Sequence, residues 1–442
     1  MRRLAAVNMN ASNVITIMTV QTDNLMAAPP RTAVWWLHRL ACGWLCALAL
    51  GAQAATATTF ANLTQEAFDR SRLPWDPMLP TPVAEIDPPE GSDSLGLDFV
   101  EYGKLAGKPL HDDHVWWLRA KPRGNFEKDP LEIWMYQPES ESYALVTYRA
   151  KDFSYGHPEI QPPLPDPLPT AARHLSAVDI GSHRSNPMSW PQILHLGGNG
   201  YGRLAGFPPL EFGTSFRLGV HDVGQPNEDF VKLRKLYLRP INQRALRILG
   251  LVDCEAYAAA LAATLQPGAA STLRVTLKIF LRKPLRIADQ PSLGPLGLSS
   301  MFWKDSRATL DDSDDEAHDA DRFTAWYPDG RRREHPLAIP TNPDDPPLLA
   351  DFGQVADFAL VQSNRNAGRY GRYAPVDYAN RVSLLISDIA SSLPYTVGLW
   401  QSYTDYEGAD NVAVFVRFSR DADTPASVDD GIAFSYTLTA YR

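Results

Sequence analysis

Prolines and glycines recur along the whole chain, and their spacing most constrains what it can fold into. The 442 residues include 37 prolines and 28 glycines, and both residue types interrupt helices and mark turns. Between them, apolar and polar residues alternate. Leu273, Val275, Leu277 and Ile279, for example, are separated by single charged or hydroxyl-bearing residues. A period of two is typical of half-buried strands, so we expect an all-β fold.

Other segments test this expectation. Residues 143–148 and 412–418 are rich in β-branched and aromatic side chains and are predicted to be strands. Residues 257–263 are alanine-rich, and propensity alone favours a helix there. Their neighbours have strand patterns, however, and Pro267-Gly268 follows like a hairpin turn, so a strand is preferred. Six prolines in residues 55–95 are expected to break any helix in that region.

The amino-terminal region has the pattern of an export signal. Basic residues flank an apolar run at 40–50, and Ala52-Gln53-Ala54 supplies the small-x-small pattern that signal peptidase cleaves. The run is only about ten residues long, whereas a bilayer of roughly 30 Å needs about twenty. Residues 1–54 are therefore predicted to be a leader that is removed, leaving no stable membrane insertion. An uncleaved anchor is the alternative, and Met26 is an alternative start of translation.

Charge and cysteine content exclude several classes of ligand. The formal net charge is -9, which repels phosphate backbones, so nucleic acid is not expected as a partner. A neutral ligand such as a sugar suits this balance. Cys42 and Cys46 fall in the leader, which leaves Cys254 alone. One cysteine cannot form an internal disulfide or a thiolate metal site. Cys254 is predicted to be buried, and neither a metal nor a cofactor is expected.

Two carboxylates stand near aromatic residues. His318-Asp319 precedes Trp326 and Tyr327, while Asp410-Asn411 follows Tyr403 and begins an apolar strand. Aromatic rings stack on sugar rings, and paired carboxylates perform acid–base chemistry on glycosidic bonds. Aspartates in loops of β proteins are more often turn formers, so the residues alone leave both roles open.

Several segments, taken in order, resemble one family. They are Phe60–Leu63, Leu97–Tyr102, Phe212–Arg217, Asp229–Pro240, Lys278–Arg282, Pro295–Phe302, His318–Asp319 and Gly408–Ala413. In this order over residues 60–440, the chain resembles the periplasmic glucan biosynthesis protein G/D family, which acts in making osmoregulated β-1,2-linked glucans.

The resemblance implies a fold and a domain organisation. The family's large domain is a many-stranded β-sandwich of the galactose-mutarotase-like type, here expected over residues 55–442. The family's second, immunoglobulin-like domain is expected to be absent, because the sequence stops about where the last strand of the large domain falls.

The resemblance also implies a periplasmic protein that acts on β-glucan as an inverting endo-β-1,2-glucanase or a transglycosylase. Asp410 corresponds to the general acid. Asp319 corresponds to the general base, which in the family acts through a relayed water. The chemistry of their side chains, rather than the resemblance, makes Arg217, Tyr201 and Trp400 candidate substrate contacts, with a structural role as the alternative for each. His318 and Asn411, beside the two aspartates, are also expected to contact substrate.

One departure from the family pattern leaves the activity open. The family loop between the two aspartates is strongly acidic, whereas residues 364–373 are basic and aromatic. Hydrolysis, glycosyl transfer and a non-catalytic protein that binds or escorts glucan beside a membrane glucan synthase are all compatible with this change. A mutarotase or lyase on a related sandwich has no motif in its favour.

Overall fold

The structure is a computed structural model, and it describes part of the chain. The described residues are 58–76, 106–107, 109–112, 115–122, 129–146, 153–154, 175–182, 192–206, 214–221, 229–282, 294–301, 320, 322–337, 342, 344–362, 382–403, 410–418 and 430–441. They belong to one compact unit spanning Ala54–Arg442. The leader expected over residues 1–54 lies outside the described residues and stays a prediction.

Strands account for nearly all of the described regular structure. Numbered in chain order, the first thirteen are β1 (Ala106–Gly107), β2 (Pro109–Asp112), β3 (Trp116–Pro122), β4 (Glu132–Gln137), β5 (Ser142–Leu145), β6 (Phe153–Ser154), β7 (Leu175–Ser182), β8 (Gln192–Gly197), β9 (Tyr201–Leu204), β10 (Thr214–Arg217), β11 (Val220–His221), β12 (Asp229–Phe230) and β13 (Lys232–Asn242). The next twelve are β14 (Ala245–Asp253), β15 (Tyr257–Gln266), β16 (Ser271–Leu281), β17 (Leu296–Met301), β18 (Arg322–Trp326), β19 (Arg332–Pro336), β20 (Leu348–Asp351), β21 (Asp357–Gln362), β22 (Val382–Ser391), β23 (Tyr395–Gln401), β24 (Asp410–Phe418) and β25 (Ile432–Tyr441). The expected all-β fold is confirmed.

These strands form two large sheets. The ten-stranded sheet has the order β2-β3-β7-β8-β9-β10-β17-β24-β23-β20, and the eleven-stranded sheet has the order β19-β18-β21-β22-β25-β16-β15-β14-β13-β4-β5. Pairs β1-β6 and β11-β12 form two small ribbons. Neighbouring strands are antiparallel throughout the described sheets except β4 and β13, which are parallel. Antiparallel sheets can bury one face and leave the other for solvent or ligand, and this arrangement creates the candidate site below.

One hydrophobic core lies between the two sheets and makes the molecule a β-sandwich. Alternate residues of each strand point into it, as the period of two predicts. The ten-stranded sheet contributes Trp116, Leu118, Ile180, Leu194, Phe216, Leu298, Val414 and Leu399, and the eleven-stranded sheet contributes Ile133, Leu236, Leu277, Phe323, Ile386 and Leu438. Burial of each such side chain contributes about 1.5–3 kcal/mol. Cys254 is buried in the same core, as predicted.

The alanine-rich segment is a strand, as the hairpin pattern favoured. β15 pairs along its length with β14 on one side and β16 on the other. Ala259 and Ala263 point into the core between the sheets, while Ala258 and Ala260 lie on the opposite face. Pairing on both sides satisfies the backbone of β15 and outweighs the helical propensity of alanine.

The expectation that residues 55–95 contain no helix was wrong. Helix α1 spans Phe60–Ser71, ahead of the first proline of that region. Thr59 and Asn62 form a capping box, in which the Thr59 side chain accepts a hydrogen bond from Asn62 N and the Asn62 side chain accepts one from Thr59 N. This exchange satisfies donors at the start of the helix.

Helix α1 packs on the outer face of the eleven-stranded sheet. Leu63 and Ala67, four residues apart and therefore on one side of the helix, are buried against Trp134, Tyr237 and Phe280. The rings of Trp134 and Tyr237 stack with centroids 5.7 Å apart. Burial raises the pKa of Tyr237 to about 12, so this phenol stays neutral. The helix thus covers an aromatic surface that would otherwise face water.

An ionic cluster fixes the end of this helix. Asp253 is fully buried and accepts hydrogen bonds from Arg70 of α1 at 2.9 Å and from Arg282 at 2.5 Å. Arg234, also buried, lies 3.9 Å from the same carboxylate. Arg282 further donates to the carbonyl oxygens of Arg70, in the last turn of the helix, and of Leu73, just beyond it, where backbone carbonyls lack the regular donor four residues on. Burial raises the pKa of Asp253, against the lowering effect of the three guanidinium groups.

Among the described residues, no helix is both long enough and apolar enough to cross a membrane.

Candidate functional site

The outer face of the ten-stranded sheet, the side turned away from the core, is the candidate functional site. On β3, Trp116 and Leu118 enter the core, so Arg119 and Lys121 point the other way. The same alternation places His195, Arg217 and Trp400 on this outer face. Arg119, Lys121, Arg217 and Trp400 are partly exposed on this face and are therefore candidates to contact a ligand.

A charged row crosses four strands at one end of the outer face. Arg119 is the register partner of Asp179, Asp179 of His195, and His195 of Arg203. Directly opposed side chains on neighbouring strands lie about 4.5–5.5 Å apart at Cβ, so these four side chains are contiguous. We call them the charged row.

Asp179 and His195 form the centre of the charged row. Asp179 Oδ1 lies 2.7 Å from His195 Nδ1, and Asp179 Oδ2 lies 3.6 Å from Lys121 Nζ. Burial by itself raises the pKa of the Asp179 carboxyl, but Lys121 and His195 outweigh it and hold that pKa below its usual value. The ionised carboxylate therefore fixes the orientation of the imidazole, with Nδ1 toward Asp179 and Nε2 away from it.

Beside the charged row, an arginine lies between two aromatic rings. The Arg217 guanidinium is 4.5 Å from the centroid of Tyr201 and 4.7 Å from the centroid of Phe230. The Tyr201 hydroxyl accepts a hydrogen bond of 2.7 Å from Arg203 Nε, and the His195 ring meets the Tyr201 ring edge-on at 6.2 Å. Tyr201 is thus held on three sides. We call Tyr201, Arg217 and Phe230 the aromatic clamp.

An apolar patch continues from the clamp toward the far edge of the sheet. Phe415 is buried, and Phe230, Trp400 and Ala413 pack against it. In register, Ser299 pairs with Ala413, Ala413 with Trp400, and Trp400 with Leu349 of the edge strand β20. The outer face therefore runs from charged side chains through the clamp to aromatic ones.

Asp410 begins β24, the strand that carries this patch. Its register partner is Met301, and an irregularity between Ser300 and Met301 leaves Asn411 without a register partner in β17. The backbone of Ala320, the residue after Asp319, donates a hydrogen bond of 2.8 Å to Ser300 Oγ. Bulges re-aim side chains and are common beside active sites.

The structure describes some of the predicted site residues and leaves others outside the described part of the chain. Arg217 and Tyr201 are register partners and stack on each other, and Trp400 lies on the same outer face. Asp410 and Asn411 have a described backbone in β24, but their side chains lie outside the described residues. His318, Asp319 and the loop at 364–373 also lie outside them. The roles assigned to all seven site residues stay predictions.

Sequence reasoning missed the charged row and two rings of the apolar region, Phe230 and Phe415. A signal was present in the strand pattern, because His195 is an ionisable residue flanked by Leu194 and Leu196 in an otherwise apolar segment. An ionisable residue in an apolar strand is usually paired or functional. Its partner Asp179 is 16 residues away in sequence, and the pairing depends on strand register.

Within the described part of the chain, no group of three or more His, Cys, Asp or Glu side chains is close enough together to hold a metal ion.

Comparison with known proteins identifies the family. The family profile described as "Periplasmic glucan biosynthesis protein, MdoG" matches residues 90–442. Glucans biosynthesis protein D 1 of Ralstonia nicotianae (strain ATCC BAA-1114 / GMI1000) is 27% identical over 442 aligned residues, covering 91% of this chain and 76% of the relative. Glucans biosynthesis protein G of Rhodopseudomonas palustris (strain BisA53) is 25% identical over 300 residues, covering 66% of this chain and 56% of the relative. The chain therefore belongs to the MdoG family of periplasmic glucan biosynthesis proteins.

Proposed function

We propose that this protein acts in the periplasm on β-1,2-linked glucan, as an inverting glycoside hydrolase or transglycosylase with Asp410 as general acid and Asp319 as general base. The names of its relatives support glucan as the ligand. The predicted leader supports export, and the acidic net charge suits a neutral polysaccharide.

One observation carries the assignment of the acid–base pair. Ala320 directly follows Asp319 and hydrogen-bonds to Ser300, while the next residue, Met301, is the register partner of Asp410. Consecutive Cα atoms are about 3.8 Å apart and neighbouring strands about 4.8 Å apart. Ala320, the neighbour of Asp319, therefore lies at the end of β17 that is next to the start of β24, and this supports the proposal that two aspartates 91 residues apart in sequence act together. The separation follows from 410 - 319 = 91.

The neighbouring side chains suit a sugar chain. Trp400 is partly exposed on the outer face of β23, the strand that pairs with β24. Aromatic faces pack against the apolar faces of sugar rings, and arginine offers a fork of N–H donors to hydroxyl groups. The outer face provides both kinds of group within a few strands of Asp410.

The proposed chemistry is that of an inverting glycosidase. Asp410 donates its proton to the glycosidic oxygen as the bond from that oxygen to the anomeric carbon breaks. A water attacks the anomeric carbon from the opposite ring face, and its proton passes to the Asp319 carboxylate through a relayed water. In glycosyl transfer, a sugar hydroxyl takes the place of the attacking water.

Incubation of the mature protein with linear β-1,2-glucan tests the proposal. Wild type is expected to give shorter or rearranged chains, and Asp410→Asn to lower the rate at least about a hundredfold, since it cannot donate the proton. Asp351→Asn is the matched control, because Asp351 lies on β20 and pairs with Arg417. Its rate should equal that of wild type.

The alternative is a protein that binds glucan and escorts it, working with a membrane glucan synthase. The basic and aromatic residues at 364–373 favour it, because the family has an acidic loop there. Glucan that is bound by wild type but recovered intact would contradict the enzyme proposal and support this one.

A further inference from the structure

We propose that Ser300 is a positioning residue of the acid–base pair, because its hydroxyl fixes the chain next to Asp319 and so keeps the general base in place relative to Asp410. The inference rests on the proposed function, since it takes these two aspartates as the pair. It goes further by giving a role in turnover to a fully buried side chain that acts through its neighbours and not by contact with glucan.

The chain that carries Asp319 connects the two sheets. Strand β17 ends at Met301 in the ten-stranded sheet, whereas the next described strand, β18, begins at Arg322 in the eleven-stranded sheet. Asp410 begins β24, which pairs with β17. The proposed acid is therefore on one sheet, and the proposed base is on the connection to the other sheet. The distance between the two carboxylates depends on how this connection is held against β17.

The side chain of Ser300 holds the connection. Ser300 Oγ accepts a hydrogen bond of 2.8 Å from the backbone N–H of Ala320. Ser300 is 0% exposed and Ala320 is 5% exposed, so both partners are shielded from water. Alternate residues of a strand share a face, and Ser300 therefore lies on the side of β17 that Leu296 and Leu298 turn to the core. Ala320 packs in the same core. This hydrogen bond joins the connection to β17 from inside the sandwich.

Ser300 is close in the chain to the partners of both aspartates. Ala320 directly follows Asp319, and consecutive Cα atoms are about 3.8 Å apart. Ser300 itself precedes Met301, the register partner of Asp410. A misplacement of about 1 Å, even one caused by a change away from the reacting atoms, can lower a rate about a hundredfold. Loss of the Ser300 hydroxyl should therefore act on the chemical step.

A second buried serine provides a matched control. Ser271 is also 0% exposed, and its Oγ accepts a hydrogen bond of 3.2 Å from the N–H of Gly268 and donates one of 3.2 Å to the carbonyl oxygen of the same residue. These contacts stay within the hairpin that joins β15 and β16 in the eleven-stranded sheet. Ser271→Ala thus removes the same chemical group from an equally buried place that holds only a turn.

The direct test measures kcat and KM of the mature protein on linear β-1,2-glucan. Ser300→Ala leaves the buried Ala320 N–H without this acceptor, so kcat should fall about tenfold or more while KM stays within about twofold of wild type. Ser271→Ala should keep both kinetic constants of wild type. Thermal unfolding is followed for both variants, and each should lose some stability because each loses a buried hydrogen bond.

Two further substitutions at the same position test the role of the hydroxyl. Ser300→Thr keeps the acceptor and should restore most of kcat. Ser300→Cys places a weaker acceptor there and should give an intermediate kcat. It also takes the place of Ser300→Ala if that variant does not fold. A serine that only stabilised the fold would lower the unfolding temperature when replaced and leave kcat unchanged.

The outcomes separate this inference from the proposed function. A folded Ser300→Ala with the kcat of wild type, or an equal fall in kcat for Ser271→Ala, would overturn the positioning role alone. A rise in KM at unchanged kcat would overturn it as well, since it would indicate a role in binding. A wild type that does not turn over β-1,2-glucan would overturn the proposed function and the positioning role with it.

Discussion

The outer faces of the two sheets carry the same residue types, arginines beside aromatic rings, in different roles. On the eleven-stranded sheet, Arg234 lies 5.0 Å from the ring centroid of Trp75, and three arginines surround Asp253. On the ten-stranded sheet, Arg217 lies 4.5 Å from the ring centroid of Tyr201. Helix α1 covers part of the first face. The second has no helix over it among the described residues.

This difference teaches that burial, rather than residue type, separates structural side chains from candidate ligand contacts. Asp253 and Arg234 are 0% and 3% exposed and are engaged by the chain itself. Arg217 and Trp400 retain partial exposure on a face with aromatic neighbours. Both faces have an arginine beside an aromatic ring, and only the fold distinguishes their roles.

The largest expected effect is the loss of charge at the covered face. Asp253→Asn leaves the buried guanidinium groups of Arg234 and Arg282 without their counter-charge, so the free energy of unfolding should fall by about 3–5 kcal/mol. Urea denaturation measures it. Asp351→Asn removes an exposed partner of Arg417 and should cost less than about 1 kcal/mol. Equal costs for the two variants would break the distinction between the faces.

A smaller effect is expected where α1 docks. Leu63 is 1% exposed, and Leu63→Ala should lower the free energy of unfolding by about 2–4 kcal/mol, because it removes buried methyl groups and leaves a cavity. Leu349→Ala is the control on the other sheet, since Leu349 is 71% exposed and should lose under about 0.5 kcal/mol. A negligible cost at Leu63 would mean that the helix does not stabilise the sheet it covers.

The smallest expected effect concerns acid stability at the outer face of the ten-stranded sheet. The pKa of Asp179 is lowered in the folded protein, so its ionised form stabilises the fold above the ordinary aspartate pKa of 3.8. That contribution is lost as the pH falls through the folded value. Below about pH 4, the free energy of unfolding of Asp179→Asn should therefore decline less steeply with falling pH than that of wild type. The difference in slope corresponds to at most one bound proton. Parallel declines in chemical denaturation would contradict the lowering of the Asp179 pKa by Lys121 and His195.

Local pattern predicted the strands well and one helix badly. The alternation from Leu273 to Ile279 predicted β16, because every second residue faces the core. Helix α1 was missed because the prolines alone were considered. The Thr59–Asn62 capping box and the spacing of Leu63 and Ala67 are sequence features that indicate a helix there. The error came from treating residues 55–95 as one region, although the helix ends before the first of those prolines.

The sequence by itself determined the β-rich fold and the family, because strand periodicity and ordered motifs are local properties. Only the tertiary structure decided that Asp179 meets His195, that Arg217 lies between Tyr201 and Phe230, and that Ala320 reaches the strand pair of Asp410. These contacts depend on strand register. A shift of one residue would turn every such side chain to the other face, and the register is fixed by burial of the whole core.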